Sequence, residues 1–196
     1  EETPVTGRLG DIPALATTAL TDGLTVLLHE TGPSTLTYDD WETFLAFTSH
    51  KGLTGIPSRH LERGLPRTGF KETYRRFAKA LVGVGTGNGA DRPSGMETEF
   101  VALSNPYATS DIKAVTVELT YKGEPRHDAQ VEVFERAPDN SVAISYLRTD
   151  NSGRVTVPVA AGHSYLLDAV FIREAEPDSG AVWETLWAAM TFRVPD

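Results

Sequence analysis

"FKETYRRFAKALVGVG", residues 70–85, can be read in two ways. Phe70, Tyr74, Phe77 and Leu81 fall three or four residues apart, the spacing of one helix face. Thr73, Arg75, Phe77, Lys79 and Leu81 fall two apart, the spacing of one face of a strand, and the glycine-containing tail "ALVGVG" favours extended chain. A strand is expected from about Tyr74. It makes the chain β on both sides of the glycine-rich stretch that follows it.

Downstream the rhythm is regular. "TEFVAL" (98–103), "AVTVELTY" (114–121), "AQVEVFE" (129–135), "VAISYLRT" (142–149), "RVTVPV" (154–159), "SYLLDAVFI" (164–172) and "LWAAMTFRV" (186–194) are short runs rich in β-branched and aromatic residues. Several alternate apolar and polar with period two, as Val115, Val117 and Leu119 do against Thr116, Glu118 and Thr120. The gaps carry turn residues: Gly123 and Pro125, Pro138 and Asn140, then Asp150, Asn151 and Gly153. Short strands at this spacing predict an antiparallel β-sandwich. The last run is apolar on both faces, which predicts a strand covered on both sides.

Upstream the pattern is mixed. "GLTVLLHET" (23–31) predicts a strand. "TYDDWETFLAFTSHKG" (37–52) predicts a helix, with Thr37 as cap, Asp39 and Asp40 in the first turn, and Trp41, Phe44, Leu45 and Thr48 on one face. "PSRHLERG" (57–64) predicts a second, short helix. "GTGNGADRPSG" (85–95) reads as a linker. Its Gly85, Gly87 and Ala90 match a dinucleotide-binding loop superficially, but that chemistry needs a helix N-terminus for the pyrophosphate. Pro93, Gly95 and then a strand follow instead. The expected organisation is a first domain over 1–90 with a helical insertion and a second over 91–196.

Composition limits the function. The chain has 196 residues, 18 basic against 27 acidic side chains, and a net charge of −9. Nucleic acid and anionic membrane surfaces repel such a protein, so neither is expected as a partner. The absence of cysteine excludes disulfides, thiolate metal sites and cysteine nucleophiles. No stretch reaches the roughly 18 apolar residues of a membrane helix. The first residues, "EETPV", lack an initiating Met, which points to a start inside a longer reading frame.

"GRLGDIPAL" (7–15), "GLTVLLHET", "LTYDDWETFLAF", "YRRFAKALVGVG", "ETEFVALSNPY", "VELTYKGEPRHDAQVEVFE", "TDNSGRVTVPVAAGHSYLLDAV" and "WETLWAAMTFRVP" follow one another in a specific order. In that order they resemble an uncharacterised family of exported bacterial proteins. The family is labelled nickel uptake substrate-specific, or periplasmic component of an ABC-type cobalt transport system. The resemblance runs from about Gly7 to Pro195. It implies a mainly β fold of two β-sandwich domains of immunoglobulin or transthyretin type. The second is similar to transthyretin-like and carboxypeptidase-regulatory-like modules. Members open on a His-containing strand resembling "HEFW"; this chain shows none, so its first domain is expected to lack its first strands. Periplasmic location and a link to divalent metal uptake are further implications.

A metal site for nickel, cobalt, copper or zinc would draw on neutral imidazole and carboxylate. His29 at a strand end, His50 at the end of the first helix and His60 in the second are the candidate ligands, able to converge at one end of the first domain. His127 and His163 read as turn residues, with no carboxylate at ligand spacing in the sequence. The expected function is non-catalytic: a periplasmic accessory protein that binds or hands over a divalent metal ion for a membrane uptake system. The alternative is a structural or interaction module, an accessory subunit of a membrane complex.

Overall fold

A computed structural model describes residues 4–5, 12, 16–18, 21–109 and 111–196. Apart from Ile12, the segment 7–15 that opens the family resemblance lies outside them. Strands β1 (Gly23–Glu30) and β2 (Ser34–Tyr38) lead into helices α1 (Trp41–His50) and α2 (Ile56–Glu62), and then into the 15-residue strand β3 (Phe70–Val84). After residues 85–97 come β4 (Thr98–Ala102), β5 (Ala114–Tyr121), β6 (Glu124–Pro125), β7 (Gln130–Arg136), β8 (Val142–Arg148), β9 (Arg154–Pro158), β10 (Ser164–Glu174) and β11 (Trp183–Arg193).

The described residues are mainly β, with two sheets and two short helices. Seven strands form the larger sheet in the order β1–β3–β11–β10–β7–β8, with β2 also on β3; β4, β5, β6 and β9 form the smaller. β3 is extended because both of its edges are taken. β1 and β2 pair with one edge antiparallel, and β11 pairs with the other in parallel. Its helix-like spacing has a physical cause. Phe70 belongs to a cluster with Tyr38, Phe44, Ile172 and Trp183 on the helix side of the sheet. Leu81, of opposite parity, belongs to the core shared with the smaller sheet. A strand buried on both faces loses clean period-two alternation.

That core contains Phe100, Val115, Val117 and Leu119 of the smaller sheet and Val131, Leu167, Ala188 and Met190 of the larger, all fully or nearly fully buried. β11 is covered on one face by the helical side, at Trp183 and Trp187, and on the other by this core, at Ala188, Met190 and Phe192, whereas Thr191 near its end is exposed. The expected boundary at 90/91 falls between β3 and β4. Hydrogen bonds of one sheet pass across it, because β3 and β11 are neighbours.

Two local expectations need correction. Thr37 does not cap α1. It lies in β2, opposite Lys71, and Asp40 caps instead, its carboxylate accepting from Thr43 N at 2.7 Å with extended backbone. The stretch 85–95 is not a free linker. Asp91 and Glu99 enclose the fully buried ammonium of Lys79, with Nζ 3.3 Å from Asp91 Oδ1 and 2.7 Å from Glu99 Oε2. Glu99 also accepts from the backbone N–H of Ser94 and Gly95, and Asp91 from that of Ala102. A buried charge is tolerated only when paired in this way, so the loop is tied to the sheet.

Candidate functional site

Two turns that lie apart in the chain meet in space. Lys122 and Gly123, both with positive φ, form the two-residue turn that joins β5 to β6. The chain then crosses to β7, and Arg126 N–H donates to Leu119 O at 2.9 Å. Buried Thr149, just after β8, fastens this crossing. Its hydroxyl donates to Arg126 O at 2.6 Å and accepts from Ala129 N at 2.9 Å. Gly153, in the turn before β9, packs against the same segment. A Cβ there would lie 2.9 Å from Pro125 Cβ and 3.0 Å from Arg126 N, and its φ is +72°. Glycine is required on both counts.

These contacts set Arg126 beside the edge of β10. A cavity of about 420 Å³ opens there. Its walls are the α1–α2 connection (Lys51–Thr54), residues 125–130, Arg148, and Val170, Phe171 and Ile172 of β10. Arg126 Nη2 donates to Val170 O at 2.8 Å, and the guanidinium carbon lies 5.3 Å from the Phe171 ring centroid. Nη1 is buried with no hydrogen-bond partner among the described residues. Loss of solvation pulls this guanidinium down to about 10, so it stays charged at neutral pH.

The other cations of the wall are compensated. Lys51 Nζ lies 2.5 Å from Glu132 Oε2 and 2.8 Å from Asp168 Oδ2, and Arg148 Nε lies 2.6 Å from Asp128 Oδ1. No carboxylate pairs with Arg126 among the described residues. The guanidinium can therefore donate to an anionic oxygen acceptor through a forked, charge-assisted contact.

The histidines sit elsewhere. His60 is fully buried, Trp183 Nε1 donates to its Nδ1 at 3.0 Å, and its Nε2 lies 2.9 Å from Pro66 O. An indole N–H can only donate, so Nδ1 is the bare nitrogen and Nε2–H donates to the carbonyl. Burial also holds this imidazole below its ordinary pKa, in the neutral form. Neither nitrogen is free for a metal, which corrects the expectation for His60.

His50 ends α1, with Nε2 3.1 Å from Oε1 of buried Glu132. Glu132 and Asp168 are register partners, but the space between them is filled by Lys51. His29 is exposed on β1. It lies on the same cross-sheet row through Ala78 and Ala189 to Asp168 and Glu132. That is four strand spacings from Glu132, about 19 Å. The three candidate ligands thus do not converge, and no group of three or more His, Asp or Glu able to hold a metal ion occurs among the described residues.

His163 follows a turn as expected, and the fold brings Glu135 Oε1 to 2.7 Å from its buried Nδ1, but without hydrogen-bond alignment. His127 is exposed in a turn at the cavity rim. Arg126 carries no signal in the sequence beyond an arginine within a turn.

The chain belongs to the family described as a domain of unknown function, DUF4198, whose match covers residues 1–173. No curated protein and no solved structure matches it. Among the described residues no helix is long and apolar enough to cross a membrane.

Proposed function

We propose that the protein is a non-catalytic binding module that takes an anionic group at Arg126, within an exported accessory protein of the kind the family resemblance implies. One observation carries the reading. Arg126 is a charged group bordering a cavity, and among the described residues its buried nitrogen has no partner and no carboxylate lies beside it. In a chain of net charge −9 every other cation of that wall has found an acid. A buried cation without a counter-ion costs stability, and an arriving anion recovers it.

The test is an NMR titration of the protein with acetate and with inorganic phosphate. Saturable shifts at Val170–Ile172, lost in Arg126→Gln and kept in Arg148→Gln, are the expected result. Shifts that are absent, or equal in both variants, overturn it.

We also propose a sandwich fold for the second half of the chain. Facing sheets with one core between them support a transthyretin-like sandwich for 91–196, completed by β3 from the first half. Periplasmic location and service to a membrane uptake complex rest on the resemblance. Metal handling retains one specific support, the exposed His50 beside buried Glu132. Nickel and cobalt titrations distinguish the two readings. If metal is the ligand, His50→Ala abolishes binding and Arg126→Gln does not.

A further inference from the structure

We infer that the anionic group is the terminal carboxylate of an extended peptide, which lies along the free edge of β10. This rests on the reading of Arg126 as an anion site and adds the class of ligand.

β10 is eleven residues long and β11 pairs with all of it, but β7 pairs only with Ser164–Asp168. Beyond Asp168 no strand occupies the second edge among the described residues. Val170 O is turned to that edge, because it accepts from Arg126 Nη2. Strand alternation turns the N–H and C=O of Ile172 the same way. Val170, Phe171 and Ile172 line the cavity, so this unpaired row borders it. An unpaired row of backbone donors and acceptors is a template for an added strand.

The position of Arg126 sets the direction. The guanidinium stands at Val170, where β7 would continue if it began earlier in the chain. A carboxylate held there places the rest of the peptide toward Ile172 and Glu174. The peptide then runs antiparallel to β10 and in line with β7. Leu53 of the α1–α2 connection and Ile56 at the start of α2, together with Phe171, give the cavity apolar wall beside the charge. An apolar C-terminal side chain suits that wall. The volume of about 420 Å³ lies near the lower end of the roughly 300–1,000 Å³ of small-ligand sites, room for a peptide end rather than a folded partner.

The experiment uses the whole chain and four probes: acetyl-Ala-Val-Leu with a free carboxylate, the same peptide as its amide, acetate, and inorganic phosphate. Binding is read by NMR, and the Ile172 amide by hydrogen exchange. The free acid is expected to bind at least about tenfold more tightly than the amide, the size of one charge-assisted hydrogen bond. It is also expected to slow exchange at Ile172, which acetate does not. Arg126→Gln removes the preference for acid over amide. Arg126→Lys, which keeps the charge without the fork, serves if the Gln variant does not fold, and weakens the preference. Equal affinity of acid and amide overturns the inference. So does acetate or phosphate binding as tightly as the peptide with Ile172 exchange unchanged, and that outcome leaves the anion site standing. Silence from all four probes removes both.

Discussion

Trp183 and His60 are 123 positions apart, yet each completes the other's hydrogen bonding. The His60 ring also packs against Trp41, Phe44 and Phe70. Trp183→Phe keeps most of the apolar contact and removes the donor, leaving Nδ1 buried and unpaired. A loss of about 1–3 kcal/mol is expected in urea unfolding, the cost of one stranded polar atom; a loss below that range would show that the bond contributes little. The sequence could not separate this histidine from a metal ligand, because the partner that occupies its nitrogen lies in a distant strand.

Glu72 raises the opposite problem. Its carboxylate is buried and accepts from Tyr38 Oη at 2.9 Å and Thr185 Oγ1 at 2.5 Å. Burial, opposed by these bonds, pushes its pKa up. The folded state therefore binds this proton more readily than the unfolded state, so the stability cost of Glu72 is present above its raised pKa and disappears as pH falls through it. Glu72→Gln, neutral at every pH, is expected to gain stability over the parent as pH rises from about 4 to 8, with the two converging at the acid end. A constant difference across that range would contradict the assignment.

At the scale of elements, strands with turn residues on both sides were legible: β5 matches its expected bounds, and β7 to β10 lie within one or two residues of theirs. β2 was not, because "STLTY" is short and runs into a capped helix, so its threonine looked like the cap. The loop 85–97 was legible as glycine-rich but not as anchored. What anchors it is the pairing of Asp91 and Glu99 with Lys79, a residue that the period-two pattern places on the face of Phe77 and Leu81 but whose charge argues for the surface. Lys79→Met would strand two buried carboxylates, and a loss of about 3–5 kcal/mol is expected on thermal or urea unfolding. A change under about 0.5 kcal/mol, typical of open surface, would mean the cluster is solvated. Gly153→Ala is expected to destabilise by more than about 1 kcal/mol and to weaken anion binding together, since the added methyl meets the segment that carries Arg126. An unchanged anion titration in a folded Gly153→Ala protein would detach the turn from the site.

At the scale of the molecule, the order β1–β3–β11–β10–β7–β8 makes the two halves of the chain one sheet. No local pattern in the sequence reports this, because the parallel pairing of β3 with β11 joins segments more than a hundred residues apart and leaves both strands looking complete by themselves. The consequence concerns the fragment 96–196, which the strand rhythm marks as an independent unit. Without β3 it would expose the edge of β11 from Trp183 to Thr191 and uncover the side of the shared core that Leu81 fills. The carboxylate of Glu99 would lose the ammonium of Lys79 and remain in an apolar setting. An open edge on a long apolar strand favours association over folding. The fragment is therefore expected to lack a cooperative thermal transition and to aggregate, and a fragment beginning at Phe70, which restores β3 and Lys79, to recover the transition. If the 96–196 fragment instead melts cooperatively as a monomer, the two-domain organisation holds, and β3 is an addition to a sheet that is stable without it.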